Sequence, residues 1–403
     1  MGVETIYKPD KKLFIKMKFL FKIILSYLLI TFNSNVLALD NSSKDILKIG
    51  ILAPLSGDLK SLGETILYST NLALQDIDDD SVKIYPKDSG TNKDSMIKAC
   101  EEFREEGIKI IIGPIDSTFL KELKKFEDLV FLSLSNMESN FDENIVMMGI
   151  NLESQLLSIK KFIKNKKKKK TLILYPDDLN SRHIEKKLKL IDFKNAKFFK
   201  YSKDSEILTG QIEKLTNYKR RKINLESRIK KLEGSELPKD IRELNQLKQK
   251  YTLGKVNFDS VIIIDFDNGL KSILTSLAYT DVSEKDILII TANQWFDDSI
   301  LSETSIKSFY FPSVNLKNFI KFNQKFFNTY NYKPNHIAIL PYDIMGLVYY
   351  FWENKIKIGS ANDLNLKKEI KAKIGNFKIN GNKVIQNLEI YKLEDKKFVK
   401  NNL

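Results

Sequence analysis

Reactive side chains are scarce in this sequence of 403 residues, which contains one cysteine and two histidines. The lone Cys100 excludes an intramolecular disulfide and, within a helix-like stretch, predicts a small buried residue. His183 and His336 have no metal-like spacing, and neither a Gly-x-Ser-x-Gly elbow nor a phosphate-cradling loop occurs. We therefore predict a protein that is not an enzyme and that uses no cofactor and no metal ion.

Acidic residues are outnumbered, since 52 Asp and Glu stand against 66 Lys and Arg and the formal net charge is +14. Lysine, asparagine and isoleucine are abundant throughout, as in proteins of AT-rich genomes, so codon bias is the simpler interpretation. The alternative is attraction to an anionic surface, either a membrane or a cell-wall polymer. The lysine run at residues 166–170 has no interleaved aromatic residue. We predict a solvated turn there and no binding of nucleic acid.

The N-terminal apolar run, residues 23–32, is shorter than a membrane-spanning helix requires. Lys18 and Lys22 accompany it, and residues 36–38 fit a small-x-small cleavage pattern. We predict that residues 1–38 are a cleaved signal peptide, with Met17 as an alternative start, and that the mature protein lies in the periplasm. No cysteine follows the run, unlike in a lipoprotein signal. The alternative is an uncleaved N-terminal membrane anchor.

Strand-like and helix-like segments alternate after the signal, which predicts an α/β protein with mainly parallel sheets. The first strand, residues 46–53, is continuously apolar, as expected for a strand covered on both faces. The pattern runs to residue 150 and restarts at residue 151, which indicates two sheets and hence two lobes. Right-handed crossovers place the loops after the strands along one edge of each sheet, where α/β proteins bind ligands.

Residues 218–251 depart from this alternation, because they are densely charged and strongly helical. Two apolar stripes run through them, separated by a breaker at residues 234–238. The first stripe comprises Leu225, Ile229 and Leu232, and the second comprises Ile241, Leu244, Leu247 and Tyr251. We predict a helical hairpin with narrow coiled-coil-like seams, inserted in the second lobe. It is either a decorative insertion or an arm that docks a partner.

Several motifs resemble known families. Residues 49–57 (IGILAPLSG), with Leu62-Gly63 and residues 73–77 (ALQDI), resemble the opening of leucine/isoleucine/valine-binding proteins. A narrower resemblance, over essentially the whole mature chain, is to the penicillin-binding protein activator family of alphaproteobacteria. The order and spacing of five strings carry it: residues 88–91 (DSGT), 252–254 (TLG), 258–261 (FDSV), 294–298 (QWFDD) and 341–343 (PYD).

These resemblances imply a two-lobed type I periplasmic-binding fold: two mainly parallel sheets with flanking helices, joined by three crossing strands. The first lobe would comprise residues 46–150 and 295–375. The second would comprise residues 151–293 and 377–398, with 218–251 as its helical-hairpin insertion. Asn380-Gly381-Asn382 predicts a tight turn in a C-terminal hairpin.

The resemblance also implies a ligand cleft. In amino-acid-binding relatives, hydroxyls and backbone N–H groups at strand ends and helix N-termini of the first lobe hold the ligand, and the second lobe supplies an acid for the ammonium. The matching positions here are Ser56, Leu62, Ser117, Thr118, Ser135, Asn136, Met137, Asp177, Glu206 and Trp295.

Some of these positions depart from the family pattern or have a simpler interpretation. Met137 stands where relatives usually have a threonine, and Leu62 where they often have a tyrosine. Asp178 and Asp204 are near alternatives for the second-lobe acid. The serines are explained equally well as helix N-caps, and Trp295 either stacks on a ligand or, as we favour, fills the hinge.

By resemblance we expect a non-enzymatic periplasmic protein of the ligand-binding type that regulates peptidoglycan synthesis. Its partner would be a peptidoglycan synthase, contacted through residues 218–251. The alternative is the substrate-binding component of an ABC transporter for an amino acid or another small polar solute, with a permease as partner. A small polar solute or a muropeptide is the expected ligand class.

Overall fold

The computed structural model describes residues 45–136, 144–292, 295–296, 308–366 and 368–401. The predicted signal peptide and Met137 lie outside these ranges. The chain divides into two compact units, Met1–Leu47 and Lys48–Leu403, and the description below concerns the second. Among the residues described, no helix is both long enough and apolar enough to cross a membrane.

The first sheet has the strand order β11-β12-β13-β5-β4-β3-β1-β2. Its amino-terminal strands are β1 (Leu47–Ala53), β2 (Val82–Asp88), β3 (Ile110–Ile112), β4 (Val130–Ser133) and β5 (Ile145–Met147). The remaining strands are β11 (Ile370–Lys371), β12 (Asn376–Asn380) and β13 (Lys383–Asn387). β1, β3, β4 and β5 pair in parallel, and β13 joins β5 in parallel, whereas β12 pairs antiparallel with both β11 and β13.

Helices cover this sheet because each has one apolar stripe. They are α1 (Lys60–Ile77), α2 (Lys93–Glu105), α9 (Leu316–Tyr330) and α10 (Ile339–Glu353). In α2 the side chain of Asn92 caps the N-terminus by accepting from the Ser95 N–H. Cys100 lies on the buried stripe of α2, fully out of solvent as predicted, and burial raises the pKa of its thiol to about 12.

The second sheet has the order β15-β14-β10-β9-β8-β6-β7. Its strands are β6 (Thr171–Pro176), β7 (Ala196–Tyr201), β8 (Ser260–Ile263), β9 (Leu288–Thr291), β10 (Phe309–Ser313), β14 (Glu389–Glu394) and β15 (Lys397–Lys400). The pairs β6–β7, β6–β8, β8–β9 and β9–β10 are parallel, whereas β14 pairs antiparallel with both β10 and β15. Helices α3 (Leu152–Asn165), α4 (Ser181–Ile191), α5 (Ser205–Leu215) and α8 (Asp267–Tyr279) flank it. Every residue of β6 and β8 is buried, because apolar clusters cover both faces.

The strand pairing differs from the predicted lobe boundaries at two places. Residues 377–398 were expected in the second lobe, but β12 and β13 pair within the first sheet and only β14 and β15 belong to the second. Residues 295–375 were expected in the first lobe, but β10 pairs with β9 and β14 of the second sheet. The tight turn is present, because Asn380 pairs directly with Lys383 and Gly381 has φ +62°.

The predicted helical hairpin is confirmed, and we call it the arm. It consists of α6 (Tyr218–Leu232) and α7 (Pro238–Leu247). Its seam buries Leu225, Leu232 and Leu247, against which Ile229 and Leu244 pack. Two residues of the predicted second stripe are not in this seam: Ile241 is 45% exposed and Tyr251 is 77% exposed. α7 ends at Leu247, so Tyr251 lies beyond the helix whose periodicity the prediction extended.

Polar contacts join the start of α3, which follows β5, to β13 of the first sheet. The Asn151 amide donates to the Val384 carbonyl, and the Ser154 hydroxyl donates to the Gln386 side chain (2.9 Å). Gln386 in turn donates from its amide to the Met148 and Gly149 carbonyls. Beside them, the Glu153 carboxylate accepts from Lys187 of α4 (2.8 Å) and from Lys383 of β13. This hinge network therefore ties the start of the second lobe to a strand of the first.

A buried carboxylate in α10 gives a pH prediction. Asp343 accepts from the backbone N–H groups of Lys373 (3.0 Å) and Ile374 (2.8 Å). Burial raises its pKa from 3.8 to about 6, although both N–H groups oppose the shift. The folded protein therefore binds this proton more tightly than the unfolded chain does, so stability from this group rises as pH falls from about 6 towards 3.8.

We expect wild type to gain about 1 to 3 kcal/mol relative to the Asp343→Asn variant over that pH interval. Denaturant titrations of both proteins between pH 4 and pH 7 measure the difference. Equal pH slopes for the two proteins would contradict the prediction.

Candidate functional site

A cavity of about 340 Å³ lies at the carboxyl edge of the first sheet. The turns after β3, β4 and β5 line it, and these turns meet at one edge because the three strands are parallel. The lining includes Ser117, Ser135, Asn136, Gly149, Trp295 and His336. The structure therefore brings together four of the predicted site residues, namely Ser117, Ser135, Asn136 and Trp295.

Hydrogen bonds hold the turns after β3 and β4 against each other. The buried Ser133 hydroxyl donates to the Pro114 carbonyl (2.9 Å) and accepts from the Ser135 N–H (3.3 Å). The Gly149 N–H donates to the Ser135 carbonyl (3.2 Å), and a Cβ at Gly149 would overlap that same carbonyl. A glycine is thus required where the turn after β5 approaches the turn after β4. Ser135 is 5% exposed, so its backbone is held rigidly at the cavity wall.

Trp295 closes the cavity from the segment that follows β9. Its ring lies 4.9 Å from the His336 ring and 6.3 Å from the Phe319 ring, measured between centroids. At 6% exposure it is packed mainly against protein, and its role, either stacking on a ligand or filling the hinge, stays a prediction. His336, Ile337 and Leu340 also line the cavity but were not predicted as site residues. The only feature of the sequence that points to them is the turn sequence Pro334-Asn335 ahead of them.

Three other predicted residues of the first lobe do not line this cavity. The exposed Ser56 hydrogen-bonds through its hydroxyl to the Asp88 carboxylate, which also accepts from the Leu55 and Gly90 N–H groups. Leu62 is half-buried in α1. The Thr118 hydroxyl donates to Asp116 (2.6 Å), whose carboxylate also accepts the Thr118 N–H. Ser56 and Thr118 therefore shape their own turns.

The predicted second-lobe acids are engaged with other groups. Asp177 pairs with Lys200 (3.1 Å), and Asp178 pairs with Lys203 (2.6 Å). Burial alone would raise the pKa of Asp178, but Lys203 and backbone N–H groups outweigh it and lower the pKa. Asp204 caps α5 by accepting from the N–H groups of Glu206 and Ile207, and Glu206 is exposed in the first turn, where it complements the helix dipole.

A buried acid at the carboxyl edge of the second sheet was missed. Asp265 follows β8 and accepts from the hydroxyl of Tyr201, the last residue of β7. Burial and this carboxylate together raise the pKa of Tyr201. A Cβ at Gly269 would overlap the Asp265 carboxylate, so the first turn of α8 packs directly on it. The sequence feature that could have indicated Asp265 is a charged residue directly after an apolar strand.

The arrangement can bind a small polar molecule but offers little for catalysis. Asp116 is the only carboxylate in the cavity lining and already accepts two hydrogen bonds, and the lining contains no lysine or arginine. An anionic group would therefore depend on backbone N–H groups and hydroxyls. Within the described ranges, no group of three His, Cys, Asp or Glu side chains could hold a metal ion.

Comparison with known proteins identifies solved structures that have the same fold. No family model and no curated protein matches the sequence. The C-domain of LpoA from Haemophilus influenzae, a regulator of PBP1A, superposes with a TM-score of 0.58 at 14% identity, over 88% of this chain and 100% of that one. This chain spans 59% of full-length LpoA from the same organism.

Two substrate-binding proteins are also similar. LivJ from Streptococcus pneumoniae, in complex with isoleucine, has a TM-score of 0.50 at 16% identity, over 88% of this chain and 100% of that one. The leucine-binding protein LivK from Thermotoga maritima has a TM-score of 0.54 at 12% identity, over 89% and 98%. These neighbours confirm the two-lobed type I periplasmic-binding fold, and at such identities they establish the fold alone. Their descriptions are those of a regulator and two binding proteins.

Proposed function

We propose that this protein is a non-enzymatic regulator of peptidoglycan synthesis that works in the periplasm by contacting a peptidoglycan synthase, as LpoA is described as regulating PBP1A. The observation that carries the proposal is the state of the second-lobe acids. Asp177 and Asp178 pair with Lys200 and Lys203, so each carboxylate already has a lysine as its counter-charge. A fold that keeps its cleft but engages these two acids in ion pairs suits a function based on protein contacts.

The arm supplies a surface for such a contact. Residues 218–251, which contain the arm, carry eleven Lys and Arg residues against five Asp and Glu residues, so their charge favours an acidic partner surface. Large apolar side chains are exposed among these charges, namely Ile223, Leu237, Ile241 and Tyr251. Exposed apolar residues within a polar rim are typical of docking sites.

The test uses the mature protein and a peptidoglycan synthase from the same bacterium. We expect the protein to bind the synthase and to accelerate glycan-strand polymerisation. The Lys222→Glu/Lys230→Glu variant reverses two exposed charges on α6 and should lose both effects. A matched control, Lys317→Glu/Lys321→Glu, makes the same charge change on the exposed face of α9 and should retain them. Unaltered polymerisation in the presence of wild-type protein would refute the proposal.

The cavity beside Ser135 favours a second candidate, the substrate-binding component of a transporter. A solute at a hundred times its dissociation constant would stabilise the protein by about 2.7 kcal/mol. A thermal-shift panel of amino acids, dicarboxylates, polyamines and muropeptides tests this function. A shift given by one solute, and lost in the Ser135→Ala/Asn136→Ala variant, would support transport. If no solute of the panel shifts the melting temperature and the folded protein is active on the synthase, the transport function is excluded.

A further inference from the structure

A second and larger cavity, of about 700 Å³, lies at the edge of the second sheet where its parallel strands begin. It is formed where β6, β7 and β8 begin, so the full length of these strands separates it from the carboxyl edge. The end of α5 and Asn217, which immediately precedes the arm, complete its wall. The cavity is therefore independent of the candidate cleft described above.

The charged side chains that line this cavity are all cationic: Lys170, Lys197 and Lys214. The Lys170 ammonium donates to the Asn257 side chain (3.1 Å). The nearby carboxylate of Asp259 is outside the lining and accepts from the Lys169 N–H (2.8 Å) and the Lys170 N–H (3.1 Å). Three lysines that converge on one cavity create a positive potential there, which favours an anion.

The uncharged part of the lining combines amides with aromatic rings. Asn195 and Asn217 each offer both a donor and an acceptor, as hydroxyl groups require, and Asn257 offers its side-chain N–H groups because its oxygen accepts from Lys170. Phe199 and Phe258 are half-buried and supply an apolar wall. Gln211 is already used, because its side-chain oxygen accepts from the Ser202 N–H (3.0 Å). Amides beside an apolar wall match a sugar ring, which has hydroxyls around its rim and C–H groups on its faces.

We infer that this cavity binds an anionic saccharide, a sugar unit that carries a carboxylate or a phosphate. The lysines bind the anionic group, the asparagines bind hydroxyl or acetamido groups, and the phenylalanines contact the ring face. The volume is within the range of sites for drug-sized ligands. This inference does not depend on the proposed regulation of a synthase, because the lining shares no residue with the arm that would contact the synthase.

Isothermal titration of the mature protein tests this inference with three probes: a carboxylated muramyl disaccharide, a hexosamine phosphate and neutral chitobiose. We expect the anionic sugars to bind and chitobiose not to bind. The Lys197→Glu/Lys214→Glu variant should weaken binding about tenfold or more, since surface ion pairs contribute up to about 1 kcal/mol each. Both residues are exposed, so folding should be unaffected, and circular dichroism checks this.

The Lys317→Glu/Lys321→Glu variant again serves as the matched control and should bind like wild type. Binding of only one anionic probe would identify the anionic group and support the inference. Equal affinity for chitobiose, equal weakening by the control variant, or no binding of either anionic sugar would overturn it. Stimulation of the synthase is measured in a separate assay, so failure of saccharide binding and failure of synthase regulation can be told apart.

Discussion

Replacing Arg221 with methionine is expected to lower the free energy of unfolding by about 3 to 5 kcal/mol. Arg221 is only 6% exposed and anchors the arm. Its guanidinium donates to the Thr252 hydroxyl (2.6 Å) and to the carbonyls of Thr280 (3.0 Å), Asp281 (3.0 Å) and Gly254 (3.2 Å). Methionine fills a similar volume but leaves these acceptors buried without their donor. Burial lowers the pKa of Arg221, yet an arginine keeps its charge in proteins.

Arg228→Ala provides the control, because Arg228 makes a bidentate pair with Glu243 (2.8 Å for both bonds) on the exposed surface of the same arm. We expect it to lower stability much less than Arg221→Met does, because the pair is exposed to solvent. Denaturant unfolding measures both variants. Hydrogen exchange should show additional loss of protection in the arm of Arg221→Met. Equal stabilities for the two variants would mean that the buried guanidinium does not anchor the arm.

Removing the Glu153 carboxylate is expected to have an effect of similar size. Glu153→Ala removes the carboxylate that accepts from both Lys187 and Lys383 in the hinge network. Lys187 is buried, so its ammonium would lose a close counter-charge, which costs about 3 to 5 kcal/mol in comparable pairs. The double variant Glu153→Ala/Lys187→Met should recover part of this loss, because it removes the buried charge as well. A double variant less stable than the sum of the two single effects would contradict this account.

The same site has a pH signature opposite to that of Asp343. Burial alone would raise the pKa of Glu153, but hydrogen bonds from Lys187 and Lys383 outweigh it and lower the pKa below 4.5. The folded state therefore favours the charged form, and its stabilisation is present above pH 4.5 and is lost as pH falls through the folded pKa. The stability difference between wild type and Glu153→Ala should accordingly shrink below pH 4.5.

Much of the architecture was predictable because periodicity reports local structure directly. The continuous apolar strands, the buried stripe with Cys100 and the arm follow from the spacing of apolar residues within one element. The sheet to which a strand belongs does not follow from that spacing. β10 and the pair β12 and β13 have ordinary strand patterns, and only long-range pairing decides which sheet they join.

The site was predictable to the extent that it consists of strand ends. Ser117, Ser135 and Asn136 converge because parallel strands finish at one edge. The ion pair of Asp177 could not be predicted, because its partner, Lys200, comes from the neighbouring strand and a linear pattern does not reveal that proximity. Asp265 was missed for a similar reason, since its hydroxyl donor, Tyr201, lies 64 residues away in the chain.

α8 connects the Asp265 carboxylate with the base of the arm. Its first turn packs on the Asp265 carboxylate at the carboxyl edge of the second sheet, and the carbonyls that follow its last turn accept from Arg221 at the base of the arm. A helix of this length is a stiff rod of about 20 Å. We therefore expect a ligand that displaces Asp265 to shift the base of the arm. By thermodynamic reciprocity, a partner that clamps the arm would bias the position of Asp265 to the same extent.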